Sequence, residues 1–272
     1  MRRMSMLVVA TLSFAICLSA QAPANAVSIA QEQKAIAFFD IGNACADENN
    51  RCRIENFTKA IEIFPSFAEA LNNRGSAYLV NGDRAQAMAD FSAAVEADPN
   101  FVQGFYNRAA ARSSAGDLAG SLADYERVLL LEPKLALAFV GKGNVELKLG
   151  RPGAAAASFS KAIEIEPGLA QAYHNRGLAY LNSSNAAAAV RDLSKAIEIN
   201  GDLTLGYLNR AIAYARLGRD AAAIADLDLY IRLVPTDARG FQQRAAAYAR
   251  LGQNEKAAAD AGRAASMTSD GR

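Results

Sequence analysis

The chain has 272 residues, of which 51% are hydrophobic, with 29 Lys and Arg against 28 Asp and Glu and a single histidine. A net charge of +1 provides no electrostatic basis for binding nucleic acid or an anionic membrane surface. The composition therefore excludes a strongly basic binding protein, and the fold and function must be predicted from the pattern of residues along the chain.

The N-terminal segment has the three parts of a secretory signal. Arg2 and Arg3 precede an apolar run from residue 7 to residue 20, and Ala24 and Ala26 have the spacing of a cleavage site. We predict a signal peptide from Met1 to Ala26, cleaved after Ala26, and hence a periplasmic or secreted protein. A transmembrane anchor is the alternative, but the apolar run is well short of the roughly 20 residues that a bilayer needs. No later segment is apolar enough to span a membrane.

Two cysteines remain beyond the signal, Cys45 and Cys52, on either side of the turn sequence ADENNR. An exported location permits them to pair, and antiparallel packing of the helices expected around the turn would bring them together. Two free thiols are the alternative. A bridge over so short a loop would contribute about 2–3 kcal/mol in the chain-entropy model.

The rest of the chain repeats with a 34-residue period. Proline recurs at this spacing or twice this spacing, and Gly201 stands in the one missing place. The prolines are Pro65, Pro99, Pro133, Pro167 and Pro235. When these residues take position 32, the frames are 34–67, 68–101, 102–135, 136–169, 170–203, 204–237 and 238–271. A fixed period of this length indicates a repeat architecture.

Each frame predicts two helices, as the second frame shows. Apolar and small residues follow one another at steps of three and four, which places each set on one helix face. The first set is Leu71, Gly75 and Tyr78 at positions 4, 8 and 11, and the second is Ala87, Phe91 and Ala94 at positions 20, 24 and 27. Glycine at position 15 separates the two helices, because it accepts the left-handed conformation that ends a helix. These glycines are Gly82, Gly116, Gly150, Gly218 and Gly252.

The pattern resembles the tetratricopeptide repeat, whose helix-turn-helix has a large residue at position 4, a small one at 8, Tyr at 11, Ala at 20, Phe or similar at 24, Ala at 27 and Pro at 32. The resemblance covers roughly nine-tenths of the chain. It implies an all-α, right-handed solenoid of about seven units. We divide the chain into a degenerate first unit at 27–67, five well-formed units at 68–237, and a capping unit with a tail at 238–272.

The end units depart most from the pattern. The first frame has Ala37, Ile41 and Ala44 at positions 4, 8 and 11. Atypical ends are expected of a solenoid, because an end unit faces solvent on one side. Other departures are Arg112 and Glu146 at position 11, Ser121 at position 20 and Ala261 at position 24.

Two rows of opposite charge recur on neighbouring helices. Position 7 reads Asp40, Arg74, Arg108, Lys142, Arg176, Arg210 and Arg244, and position 23 reads Asn56, Asp90, Asp124, Ser158, Asp192, Asp226 and Asp260. In five frames Arg meets Asp, and the two frames that lack the Arg also lack the Asp. We predict a charge pair that locks each hairpin at its edge, in preference to a ligand contact. Partly exposed pairs of this kind would each contribute only about 0–1 kcal/mol.

A row of amides recurs at position 6, which points away from the apolar stripe. The row consists of Asn73, Asn107, Asn175 and Asn209, with Gln243 in the last frame and Gly141 interrupting it. In the resembled family the first helix of each unit lines the concave surface, and some members grip the main chain of an extended peptide with asparagines at this position. An amide suits that task because it both donates and accepts. Merely solvated polar side chains are the alternative.

The remaining groove positions are mixed. Gln171 adds a further amide, and Arg216, Arg239 and Arg250 form a basic C-terminal end that would suit an acidic stretch of partner. His174 is the only histidine and has neither metal-spaced partners nor an activated nucleophile beside it, so we expect no metal, cofactor or catalytic residue.

The sequence therefore predicts a scaffold that binds a protein or peptide partner, with self-association possible. A structural or assembly subunit of a larger cell-envelope complex is the alternative.

Overall fold

The computed structural model describes residues 28–46 and 49–269, which form fourteen α-helices without a strand. The predicted signal peptide lies outside these residues. The helices are α1 Ile29–Ala44, α2 Asn50–Ile63, α3 Ala68–Asn81, α4 Arg84–Ala97, α5 Val102–Ala115, α6 Leu118–Leu131, α7 Ala136–Lys148, α8 Pro152–Ile165, α9 Ala170–Asn182, α10 Ala186–Ile199, α11 Thr204–Arg216, α12 Asp220–Leu233, α13 Ala238–Arg250 and α14 Asn254–Ser269.

The helices pack as seven consecutive hairpins, and each hairpin contacts only its neighbours. This arrangement is an all-α repeat solenoid, as the 34-residue period predicts. The first helices of successive units also contact one another, from α3 and α5 through to α11 and α13, whereas no two second helices of the described chain make a comparable contact. The first helices therefore line the inner surface of the solenoid.

Close approach of the two helices in a unit depends on small residues at position 8. A Cβ atom added to Gly75 would lie 2.9 Å from Cε1 of Phe91, which is too close for two carbon atoms. The ring of Phe91 is fully buried, as is the side chain of Phe159 at the same position of its unit. Glycine thus lets a large ring fill the space between the helices at native packing density.

The turn within each unit contains a residue in the left-handed region at position 15. Gly82 has φ +87°, and the four other predicted glycines also have positive φ. In the fifth unit Ser184 takes this place, with φ 59°. The predicted role of glycine in the turn is confirmed, and Ser184 adopts a conformation that costs an L-residue about 1–2 kcal/mol.

The first unit is shifted by one residue relative to the 34-residue count. Gly42 contacts Phe57 as Gly75 contacts Phe91, although Ile41 had been expected at position 8. The side chains of Ala37, Ile41 and Ala44, which the count assigns to the core, are all exposed. The assignment was wrong because α1 ends early and Cys45 continues in extended backbone. Extended backbone covers more distance per residue than a helix. The chain from Gly42 to Phe57 is therefore one residue shorter than the chain from Gly75 to Phe91.

The same turn contains the predicted disulfide. Cys45 and Cys52 are bonded, with their Cα atoms 6.0 Å apart. The bridge joins the two helices of an end unit, which has a neighbour on one side only, and stabilises it by lowering the chain entropy of the unfolded state.

Candidate functional site

The predicted Arg–Asp pairs are present in five units, each as a two-point interaction. In the fifth unit Arg176 Nε donates to Asp192 Oδ2 at 2.7 Å and Nη2 donates to Oδ1 at 2.9 Å. The other pairs are Arg74–Asp90, Arg108–Asp124, Arg210–Asp226 and Arg244–Asp260, with the same geometry. Hydrogen bonds to aspartate raise the pKa of Arg176, so the guanidinium stays charged. The predicted lock is confirmed in these five hairpins.

These pairs are more buried than the sequence suggested. The side chains of Arg176 and Asp192 retain 18% and 10% of their exposure. The guanidinium also lies over the rings of Tyr173 and Tyr180, at 5.6 and 6.0 Å from their centroids. Removing one partner of a buried pair leaves an uncompensated charge. Breaking a lock should therefore lower the unfolding free energy by more than the roughly 0–1 kcal/mol expected of an exposed pair.

In four of the five units with an Arg–Asp pair, the position 7 arginine also links its unit to the preceding one, a contact that the sequence did not predict. Arg176 Nη1 donates to the hydroxyl of Ser160 in the unit before, at 2.9 Å. Equivalent bonds join Arg74 to Thr58, Arg210 to Ser194 and Arg244 to Asp228. The sequence does contain a pattern that could have predicted this link. A hydrogen-bond acceptor recurs at position 25, as Thr58, Ser160, Ser194 and Asp228, and the 34-residue period places it beside the next unit.

Each of the two departures at position 11 has a polar partner within its own unit. In the third unit Arg112 donates to Asp124 at 2.8 Å, so that carboxylate holds two arginines. In the fourth unit the hydroxyl of Ser158 donates to Glu146 at 2.7 Å. Lys142 reaches back to Glu126 at 3.1 Å in place of the usual arginine bond. The absence of the Arg–Asp pair from this unit of the described chain therefore reflects a different polar network at the same edge.

The amide row lies along the inner surface, where its members are half-buried and hydrogen-bonded between units. Toward the C-terminus, Asn209 Nδ2 bonds to Nε2 of His174 at 3.0 Å, and Nδ1 of His174 bonds to Asn175 Oδ1 at 3.1 Å. Asn175 Nδ2 then donates to Asn144 Oδ1 at 2.8 Å. This chain requires a neutral imidazole with its proton on Nδ1. Burial lowers the pKa of His174, which favours the neutral form.

A second chain of amides crosses the first three units. Gln103 Nε2 donates to Asn107 Oδ1 at 3.0 Å, and Asn107 Nδ2 donates to Asn72 Oδ1 at 2.8 Å. Asn72 Nδ2 donates to Asn73 Oδ1 at 3.2 Å, and Asn73 Nδ2 donates to Asn43 Oδ1 at 3.0 Å. We call the two chains of hydrogen bonds the amide relays. The sequence predicted that the position 6 amides face away from the core, and it did not predict that they bond from one unit to the next.

The relays leave part of each row amide available. Asn73, Asn107 and Asn175 each donate one N–H and accept one bond, and Asn209 donates one N–H. An asparagine side chain has two N–H groups and an oxygen with two lone pairs, so each retains one N–H and at least one lone pair. These are the two groups that a peptide unit needs. Because the other half of each amide is bonded to the protein, its orientation is set in advance.

Tyr125 explains the interruption at Gly141. A Cβ atom on Gly141 would lie 2.4 Å from Cζ of Tyr125 and 2.6 Å from its hydroxyl oxygen. Tyr125 is buried and packs edge-on against Tyr106. Burial raises the pKa of Tyr125 to about 12, so the hydroxyl remains protonated. The row is broken because a tyrosine occupies the space that an asparagine side chain would need.

Each of the three arginines of the predicted basic end has a partner within the chain. Arg216 donates to the carbonyl of Leu181, and Arg250 pairs with Asp220 at 2.7 Å. Arg239 pairs with Asp237 at 2.6 Å, at the opposite end of α13 from Arg250. Each charge is engaged within the chain. Gln171 and Gln243 lie on the first helices of their units, Gln171 exposed and Gln243 half-buried.

Metal-binding clusters and membrane-spanning helices are both absent from the described ranges, residues 28–46 and 49–269. These ranges contain no group of three or more His, Cys, Asp or Glu side chains placed to hold a metal ion. Nor does any helix there combine the length and hydrophobicity required to cross a membrane.

Comparison with family models identifies three repeat segments. A tetratricopeptide repeat model matches residues 68–101, a second matches residues 170–203, and a TPR repeat model matches residues 143–184. These segments fall on the second, fourth and fifth frames. A comparison with curated protein sequences finds no significant match.

Solved structures share the fold at low sequence identity. A tetratricopeptide repeat protein from Parabacteroides merdae ATCC 43184 is 20% identical, with a TM-score of 0.66 over 88% of this chain and 93% of its own. YrrB, described as a TPR protein with an unusual peptide-binding site, is 21% identical, with a TM-score of 0.58 over 69% of this chain and 96% of its own. A chain of the APC/C hetero-tetramer Cut9–Hcn1 is 16% identical, with a TM-score of 0.66 over 87% of this chain and 49% of its own.

Proposed function

The chain belongs to the tetratricopeptide repeat family, and on that premise we propose that it is a non-catalytic scaffold that binds an extended segment of a partner protein along its inner surface. The observation that carries the proposal is the pair of amide relays. They hold Asn73, Asn107, Asn175 and Asn209 with a free N–H and a free lone pair each. A ligand main chain would pair with these groups regardless of its side chains.

Two of the similar structures make a polypeptide partner reasonable. YrrB is described as having a peptide-binding site, and Cut9 is described in complex with Hcn1. The arginines at 216, 239 and 250 contribute less to the proposal, since each already has a partner within the chain. Gln171 and Gln243 extend the amide surface beyond the relays.

The experiment compares two ways of breaking the same relay bonds. Asn107→Ala with Asn209→Ala removes two row amides, whereas Asn72→Ala with His174→Ala removes their buried relay partners and leaves the row amides in place. The probe is a peptide selected on the immobilised protein from a displayed random library, with affinity measured by calorimetry. We expect the first pair to lose about 1–3 kcal/mol of binding free energy, at about 0.5–1.5 kcal/mol for each amide.

The second pair serves as the matched control. It breaks the same two bonds between units and should reduce the unfolding free energy at least as much as the first pair, because Asn72 and His174 are buried, but the control should retain most of the affinity. Equal loss of affinity in both pairs would mean that the amides act only through the fold. Unchanged affinity in the first pair would remove the row from the binding surface.

A structural subunit of a larger assembly is the second candidate, and the exposed face of α1 favours it. Ile29, Ile36 and Ile41 are exposed at 76%, 42% and 50% on the end helix. A scaffold that acts alone should sediment as a monomer at all concentrations. An assembly subunit should sediment faster as concentration rises, and Ile36→Glu with Ile41→Glu should reverse that effect.

We further propose that the protein is exported. The segment from Met1 to Ala26 has the parts of a signal peptide, and the Cys45–Cys52 bridge suits an oxidising compartment. Protein recovered from the cell envelope should show no free thiol when denatured without reductant. Two free thiols per chain would contradict the proposed location.

A further inference from the structure

An apolar pocket lies where α3, α4 and α5 meet, at the edge of the inner surface. Its volume is about 370 Å³, and its walls are formed by Leu79, Met88 and four small residues of α5, beside Arg84 and Ala85. The four small residues are Ala110, Ala111, Ser114 and Ala115. Ligand pockets begin near this volume, so the space suits one large apolar side chain rather than a whole cofactor.

The pocket exists because the third unit has small residues where other units have larger ones. Position 14 is Ala115 here and leucine in three later units, at Leu149, Leu217 and Leu251. Leu149 packs against an apolar cluster that includes Val145 of its own unit. Position 13 is Ser114 here, whereas Lys148 occupies it in the next unit. Ser183 is also small at position 14, but of the second to seventh units the third is the one that combines small residues at positions 9, 13 and 14.

The rim of the pocket carries the positive charge of Arg84. Its side chain is exposed, and it forms no ion pair with any acidic side chain of the described ranges, including its neighbour Asp83. Arg84 is the first residue of α4, and no acidic residue lies in the first turn of that helix. The N-cap of α4 is Asp83, whose carboxylate offsets the positive end of the helix dipole, so the guanidinium of Arg84 is the positive group at the rim. An acidic group beside the pocket would be attracted by this guanidinium.

We infer that this pocket is a specificity site of the groove, which receives a leucine-sized apolar side chain adjacent to an aspartate or glutamate in the partner polypeptide. The inference rests on the proposed function, because the occupant is part of the segment that the amide relays hold. The pocket is formed by positions 9, 10, 13 and 14 of α5, the helix that also carries Asn107 of the row. Contacts to the partner's main chain would provide affinity, and this pocket would distinguish partners by their amino-acid sequence.

Met88 provides a direct reporter of occupancy. The described ranges contain two methionines, Met88 and Met267, and Met88 is the one that lines the pocket. The full chain labelled with ¹³C at the methionine methyl groups is titrated with N-acetyl-leucinamide and with N-acetyl-alaninamide, and Met88→Leu assigns the resonance. We expect a saturable shift of the Met88 methyl signal with the leucine probe, roughly tenfold or more tighter than with the alanine probe. No shift of the Met88 signal with the leucine probe would overturn the inference.

Ala115→Leu is the matched variant, because leucine occupies the same position in three other units and the fold accepts it. It should abolish the leucine-dependent shift while the circular dichroism and melting midpoint stay close to those of the parent. A shift that persists unchanged in Ala115→Leu would place the probe elsewhere and refute the pocket.

Arg84→Gln tests the charge at the rim. Affinity for the amide of N-acetyl-leucyl-aspartate should fall by about two- to fivefold, as for an exposed charge pair, while affinity for N-acetyl-leucinamide stays the same. Equal affinities for the aspartate dipeptide and its lysine counterpart in the parent protein would contradict the acidic neighbour.

The two proposals fail separately. If Ala115→Leu leaves capture of the library-selected peptide unchanged while loss of the row amides weakens it, the groove stands and the pocket does not contribute. If Met88 reports leucine binding but the row variants bind peptide normally, the pocket stands and the amide row does not contribute.

Discussion

The Arg176–Asp192 lock offers the sharpest test of how the repeats are held together. Two hydrogen bonds of 2.7 and 2.9 Å join the side chains, and a third of 2.9 Å joins Arg176 to Ser160 of the preceding unit. Asp192→Ala leaves a largely buried guanidinium with only the serine bond. Arg176→Ala leaves a carboxylate at 10% exposure without its cation. We expect each single change to lower the unfolding free energy by about 3 kcal/mol, near the lower end for a broken buried pair.

The double variant should cost less than the sum of the two, by about 1–3 kcal/mol, because removing the second partner also removes the uncompensated charge left by the first. The assay is urea unfolding of all four proteins followed by circular dichroism. Long repeat arrays can lose cooperativity, so the slopes of the transitions must agree before free energies are compared.

The exposed pair Lys195–Glu198 on the same helix is the control, with side chains at 44% and 68% exposure. Its coupling should not exceed about 0.5–1 kcal/mol. If Arg176 and Asp192 prove additive within about 0.5 kcal/mol, the position 7 arginines do not act mainly as locks, and a role in ligand contact must be reconsidered.

Three further predictions follow from the contacts. Ser184→Gly should stabilise the fold by about 0.5–1 kcal/mol in urea melts, because it relieves a left-handed serine, whereas the same change at the neighbouring Ser183 should destabilise it. Gly141→Ala should cost about 1–3 kcal/mol through its clash with Tyr125, and less in a Tyr125→Leu background; an equal cost in both would contradict the clash. Because burial lowers the pKa of His174, its contribution to stability should be complete above pH 6.5 and decline as pH falls through the lowered value. His174→Gln should therefore lose less stability on acidification, by at most about 1.4 kcal/mol per pH unit, and parallel pH profiles would refute this.

The period and the positions that pack within a hairpin were predictable because each depends on residues close in sequence. Gly75 and Phe91 meet across one short turn, and Arg176 meets Asp192 at the same spacing. A regular helix makes such spacings reliable. The prediction failed at Ile41 because α1 ends at Ala44 and Cys45 has extended backbone, and sequence spacing measures distance only while the backbone conformation stays the same.

The seven units, the Arg–Asp lock of five of them and the row of amides could all be predicted from the sequence, since all three follow the 34-residue period on faces that helical geometry specifies. Only the tertiary structure decided how the units meet. The bonds of Asn107 to Asn72 and of Asn209 to His174 cross from one unit to another, as does the pocket beside Met88. Their geometry depends on the angle and distance between successive hairpins, which the side chains of both units set together and which no single repeat encodes.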